Sequence, residues 1–162
     1  MQEAKREFLN LMASYQGILH KVCLVYFNNE ADREDNFQEI LYQLWKSWPD
    51  LKKRESIGSW IYSVAINTSL SRLKKGSRME YREHMPDYSD DSSVSGELEQ
   101  NESLEQLLKA IHKLDEISRS VIFLYLEELS YEEMSEILGI SVSNVGIRIN
   151  RAKEKLRKDL TE

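Results

Sequence analysis

One cysteine, two prolines and six glycines are all that these 162 residues contain of the types that most constrain or break a backbone. A single cysteine excludes an intramolecular disulfide and a four-cysteine zinc site. The longest uncharged stretch, Ser56 to Ser71, is interrupted by Ser, Asn and Thr and falls short of the ~20 apolar residues a membrane helix needs. The start carries Glu3, Lys5, Arg6 and Glu7, which a secretory signal does not tolerate. The expectation is a soluble, cytoplasmic protein of a reducing compartment with no direct membrane insertion. Enzyme signatures are missing too. There is no glycine-rich phosphate loop, and His84 and His112 have no nucleophile or carboxylate at a motif spacing. The carboxylates between Ser89 and Glu105 lack the Asp-Gly spacing of a calcium loop. His20 and Cys23 could aim two ligands the same way from a helix, but no third lies near, and Cys23 sits among Val22, Leu24 and Val25. That environment reads as a buried structural thiol. The expectation is therefore a non-enzyme with no catalytic residue, no cofactor and no metal.

What is present is charge, unevenly spread. The total is −6, which at first argues against a nucleic-acid partner. Summed in blocks, residues 1–50 carry −3, 51–82 carry +6, 83–108 carry −8, 109–144 carry −4 and 145–162 carry +3. Two basic patches thus flank an acidic segment, and such asymmetry is the better guide to partners.

Apolar residues recur at helical spacing along most of the chain, with no strand-like alternation, so the fold class is all-α. A first helical region spans about Glu3 to Phe27, with a break into two helices near Gly17 left open. Asn28-Asn29 marks a turn, and Asp32 is a candidate N-cap for the next helix. That helix places Phe37, Ile40, Leu41, Leu44, Trp45 and Trp48 on one stripe before Pro49 ends it. Trp45 and Trp60 read as core residues at that spacing. A further helix is expected from about Ile57 to Lys75. From Gly76 to about Gln100 the chain has little to bury and reads as a flexible acidic linker. Helical periodicity then resumes at Leu104. The expected organisation is two small helical domains, 1–78 and 101–162, joined by a linker over 79–100.

The most informative stretch runs from Leu129 to Ser141. Ser130 with Glu133 makes a capping box, Met134, Ile137 and Leu138 share a face, and Gly139 sits where a helix stops. Ser141 can cap the following helix, whose inner face is expected to be Val142, Val145, Ile149, Ala152 and Leu156. Ser143, Ile147, Asn150, Arg151, Glu154 and Lys158 then point outward, with Arg148 and Lys155 on a flank. This is helix-turn-helix spacing, with a second helix suited to the major groove. Gly146 inside that helix costs about 1 kcal/mol relative to Ala.

Three segments in order carry a family resemblance: Asp32 to Glu39 with Leu44-Trp45, Ser59 to Tyr62 with Ala65-Ile66-Asn67, and Leu129 to Ser141 with Arg148 and Arg151 to Leu156. The chain resembles a bacterial extracytoplasmic-function sigma factor, a promoter-specificity subunit of RNA polymerase. The resemblance implies that Asp35, Gln38, Glu39 and Gln43 face the core RNA polymerase. It implies that Lys52, Lys53, Arg54, Tyr62, Asn67, Ser71, Arg72, Lys74 and Lys75 serve minus-ten recognition and strand opening. It further implies that Ser141, Ser143, Asn144, Ile147, Arg148, Arg151 and Lys155 read the minus-35 element of promoter DNA, and that an anti-sigma factor is a partner. Ser71 stands where many family members have Asp, while Gly146 and Ile147 also depart from the family pattern, so no promoter sequence transfers. The residues by themselves leave two alternatives open. One is a stand-alone helix-turn-helix regulator with a dimerising N-terminal module, and the other is a pure interaction adaptor.

Overall fold

The computed structural model describes residues 2–51, 56–83 and 102–161, with the backbone alone described within 77–83. Lys52, Lys53, Arg54, His84 and the rest of the expected linker from 84 on lie outside the described residues, whereas 79–83, expected to open the linker, form the end of a helix.

Seven α-helices account for nearly all of the described chain. They are α1 (Gln2–Tyr26), α2 (Glu30–Ser47), α3 (Ile57–Glu83), α4 (Glu102–His112), α5 (Glu116–Leu126), α6 (Tyr131–Leu138) and α7 (Val142–Thr161). No strand occurs among the described residues. The first helical region is one unbroken helix. Gly17 sits exposed inside α1, and its missing Cβ would meet nothing, so the glycine costs helix propensity without ending the helix. The cap of α2 is Asn29 rather than Asp32. The Asn29 side chain accepts from the Asp32 amide at 2.8 Å, and its own amide donates to the Asp32 carboxylate at 2.8 Å. Pro49 acts as expected: α2 stops at Ser47 and a single 3-10 turn, Trp48–Asp50, follows. α3 runs on past Lys75 to Glu83.

α1, α2 and α3 pack around Leu19, Val22, Ile40, Leu44, Ile61, Ala65 and Ile66, all essentially inaccessible to solvent. Trp48 is buried between Phe8 and Trp60, at ring-centroid distances of 5.7 and 5.9 Å. Trp45 departs from its expected core role and is 42% exposed. One ring face lies on Phe8 at 5.0 Å, and Trp48, three residues later, takes the inward place. α4 to α7 bury Ile111, Leu114, Val121, Ile122, Leu124, Met134, Val145 and Ile149.

The two helical groups share one continuous core. α1 packs against α4 and α5, and α3 packs against α6. Polar contacts seal the junction. The Tyr26 hydroxyl bonds Ser120 Oγ, and His112 Nε2 meets the Leu24 carbonyl at 2.9 Å. Arg119 donates to the carbonyls of Leu114, His112 and Tyr26 at 3.1, 3.1 and 3.4 Å. Each of these carbonyls caps or leaves a helix end, so one guanidinium satisfies acceptors that the helices themselves cannot.

Candidate nucleic-acid interface

The helix-turn-helix forms as its sequence dictates. Ser130 Oγ accepts from the Glu133 amide at 3.0 Å, and the Glu133 carboxylate accepts from the Ser130 amide at 2.8 Å, closing the capping box that starts α6. Gly139 ends α6 at φ 70°, ψ 30°, with its amide on the Ser135 carbonyl at 2.9 Å. A residue lacking Cβ occupies that left-handed region at no steric cost. Ser141 Oγ then accepts from the Asn144 amide at 3.1 Å and starts α7.

Val145, Ile149, Ala152 and Leu156 hold α7 onto the core. Val142, the first residue of α7, differs from its expected inward position and is 41% exposed. Ser143, Ile147, Asn150, Arg151, Glu154, Lys155 and Lys158 are exposed, forming one outward face. Asn144 is half-buried, its backbone taken by the cap. Arg148 is also half-buried, and its Nε is buried with no partner. The Ser118 amide bonded to the Asp115 carboxylate holds that carboxyl below its ordinary range, and the positive charges of Arg148 and Lys155 add to the shift. Gly146 turns toward the Tyr131 ring, where an added Cβ would make ordinary contact at 3.5 Å.

On α2, Asp35 and Gln38 are exposed, while Glu39 and Gln43 are half-exposed and joined by a 2.9 Å bond. The four make one polar stripe, opposite Ile40 and Leu44. On α3, Asn67, Ser71, Lys74 and Lys75 are exposed. Asn67 donates only a long 3.5 Å bond to Ser63 Oγ, so its amide is available to a ligand. Arg72 is half-buried with its Nε unpartnered. Tyr62 is placed differently from the rest. It is 9% exposed, its ring edge-on to Phe123 at 6.1 Å and its hydroxyl donating to Glu127 at 2.8 Å.

Two functional-looking features escaped the sequence reading. Asn36 is completely buried between α1 and α3, donating to Ser69 Oγ at 2.8 Å and reaching Cys23 Sγ at 3.4 Å. Glu127, in the turn before the helix-turn-helix, meets Lys21 and Tyr62 from more than 60 residues away. The helical period of α2 puts Asn36 in line with Ile40 and could have marked it as inward. Nothing local marks Glu127. Cys23 is buried as expected, its thiol pushed up by desolvation.

Comparison with known proteins agrees with this layout. The sigma-70 region 2 family model matches residues 11–79, and the sigma-70 region 4 model matches residues 104–156. The ECF RNA polymerase sigma factor SigW of Bacillus subtilis is 28% identical, over 96% of this chain and 89% of the relative. RNA polymerase sigma factor SigZ of the same organism is 30% identical, over 81% of this chain and 74% of its own length. Among solved structures, the sigma factor RpoE in complex with the anti-sigma factor NepR from Bartonella quintana superposes with a TM-score of 0.80 at 19% identity, covering 96% of this chain and 98% of that one. A stand-alone regulator would match in the helix-turn-helix alone; here both halves match, in order. The chain belongs to the sigma-70 family as an extracytoplasmic-function RNA polymerase sigma factor, a promoter-specificity subunit for transcription initiation and not an enzyme.

Proposed function

We propose that the chain divides its work at the linker. Residues 1–78 engage core polymerase and the minus-ten region, residues 79–100 act as a tether, and residues 101–162 read the minus-35 element. The observation that carries this reading is the exposure pattern. The polar stripe Asp35, Gln38, Glu39 and Gln43 faces solvent on α2 while its apolar partners are buried, and Ser143, Ile147 and Arg151 do the same on α7.

Acidic groups on α2 suit a basic surface of the polymerase and would steer encounter. Asn67, with a weakly engaged amide, suits an extruded base, and Ser71, Arg72, Lys74 and Lys75 continue that helix toward the backbone. Lys52, Lys53 and Arg54, outside the described residues, extend the same basic block. Ser141, Ser143, Asn144, Arg148, Arg151 and Lys155 supply phosphate and base-edge contacts in the major groove, with Ile147 the one apolar group among them. The protein acts in the bacterial cytoplasm, where core polymerase and promoter DNA are its partners. The likeness to a sigma factor solved with an anti-sigma factor supports an inhibitory partner here too.

Run-off transcription with core polymerase and a promoter library tests the reading. Specific initiation that depends on this chain is the expected result, and no gain over core alone would sink it.

A further inference from the structure

Glu127 sits where both oxygens of its carboxylate are taken by the other helical group. Oε1 accepts from the Tyr62 hydroxyl at 2.8 Å, and Oε2 accepts from Lys21 Nζ at 3.1 Å. The Glu127 side chain is 13% exposed whereas that of Lys21 is 57% exposed, so the lysine reaches in from solvent to meet a largely enclosed acid. The backbone fixes the position of Glu127. Its amide closes α5 on the Phe123 carbonyl at 3.0 Å, and the next residue, Glu128, adopts φ 66°. A left-handed non-glycine residue costs roughly 1–2 kcal/mol, and it turns the chain directly into the cap of the helix-turn-helix. Burial and the neighbouring carboxylate push the Tyr62 phenol far above its ordinary range, so it stays a donor.

A lysine and a phenol converging from two helices on one anionic oxygen pair make a site that accepts a phosphate as readily as a carboxylate. Tyr62 lies on α3, five residues before Asn67. While Glu127 is seated, the Tyr62 hydroxyl is closed to a nucleic acid and Lys21, still 57% exposed, has its ammonium drawn onto the carboxylate, and α6 packs on α3.

We propose that Lys21 and Tyr62 form a binding site for a backbone phosphate of single-stranded DNA, and that Glu127 occupies it as an internal mimic, latching the two halves together. The promoter strand then competes with Glu127, and opening of the chain and strand capture are one exchange. The proposal rests on reading α3 as the strand-contacting helix.

The test uses the full chain, a fluorescent oligothymidine probe and small-angle scattering. Glu127→Ala is expected to bind the probe several-fold more tightly than the parent and to show a larger radius of gyration. Glu132→Ala, which removes an equal charge from an exposed site, is expected to change neither. Lys21→Ala added to Glu127→Ala is expected to abolish the gain. Glu127→Gln, closer in shape, serves if the alanine variant folds poorly, and moves both readouts the same way. Equal affinity of Glu127→Ala and Glu132→Ala overturns the proposal. So does an unchanged radius, or a gain that survives loss of Lys21. Run-off transcription by the Glu127→Ala chain separates the two readings: initiation without a binding gain overturns the latch and leaves the sigma role standing, and no initiation by the parent chain overturns the role itself.

Discussion

His112 Nε2 lies 2.9 Å from the carbonyl oxygen of Leu24, so a histidine of the C-terminal half is hydrogen-bonded to the backbone of α1. Burial depresses its pKa below the ordinary 6.5. The Leu24 bond opposes that shift, and the positive charges of Arg119 and Arg33 add to it. In the unfolded chain the ring protonates near 6.5, whereas in the fold it resists. The unfolded state therefore binds more protons as pH falls below about 7, and stability is lost on that side. Asp115 does not confuse the window. Its carboxyl is depressed below 3.8, so its stabilising contribution persists until far lower pH. Thermal melts at pH 7.5 and pH 5 should show a lower midpoint in acid, and His112→Gln should flatten that difference. An identical acid loss in the variant would assign it to other groups.

Buried polar groups supply a second prediction. Asn36 Nδ2 donates to Ser69 Oγ at 2.8 Å, and Ser69 Oγ in turn donates to the Ala65 carbonyl at 2.8 Å. Asn36 Oδ1 is already buried without a partner. Ser69→Ala leaves the Asn36 amide with only the weak Cys23 sulfur, so it should cost about 1–3 kcal/mol. Replacing both partners leaves no orphaned donor behind, so the double change Ser69→Ala with Asn36→Leu should be less destabilising than the sum of the two single changes. Urea unfolding of the four chains gives this coupling directly.

How far the sequence led differs by element. Ser130, Glu133, Gly139 and Ser141 act through contacts within five residues, so the helix-turn-helix was legible down to its capping bonds. Pro49 ended α2 for the same local reason. Gly17 was different. A glycine only lowers propensity, and tertiary packing on either side carried α1 through it. Asn29 took the cap from Asp32 because Asp, Asn and Ser compete nearly equally for that role. Trp45 and Trp48 both fitted an inward stripe, and contacts with Phe8 and Trp60, distant in sequence, go with the enclosure of Trp48. The seam between the halves was not legible at all. Tyr26, Lys21, His112, Arg119, Ser120 and Glu127 meet partners far away in sequence, where neither period nor spacing carries a signal.

The turn at Gly139 tests whether local chemistry governs the recognition helix. A Cβ at this position would touch nothing, so the cost of Gly139→Ala is conformational, about 1–2 kcal/mol for a left-handed residue. Gly139→Asn should cost less, because Asn tolerates this region. Gly146→Ala has the opposite expectation. Its backbone is helical and the Tyr131 ring would sit at ordinary contact distance, 3.5 Å, so it should stabilise α7 by up to about 1 kcal/mol. Denaturant midpoints should place Gly146→Ala above the parent, with Gly139→Asn below the parent and Gly139→Ala lowest. A destabilised Gly146→Ala would show that the Tyr131 ring cannot give way.

Arg151 and Asn67 should separate duplex recognition from strand opening. Arg151 is exposed on the outward face of α7 with no bond to any neighbour among the described residues, so Arg151→Ala should leave folding intact. It should weaken binding of the polymerase complex to promoter duplex by about 1–3 kcal/mol if it reads a base. If it meets a phosphate instead, the loss should be similar on all sequences and the salt dependence should shallow by about one ion. Asn67 lies on α3, away from that groove-reading face. Asn67→Ala should leave closed-complex affinity nearly unchanged and lower the fraction of promoter that becomes reactive to a single-strand probe. Extruding a base costs a few kcal/mol, and the lost amide removes part of the compensation at that step alone. Gel shifts at low temperature, where the duplex stays closed, set against permanganate reactivity at growth temperature, distinguish the two steps. Equal loss of both in Asn67→Ala would place that residue in closed-complex binding instead.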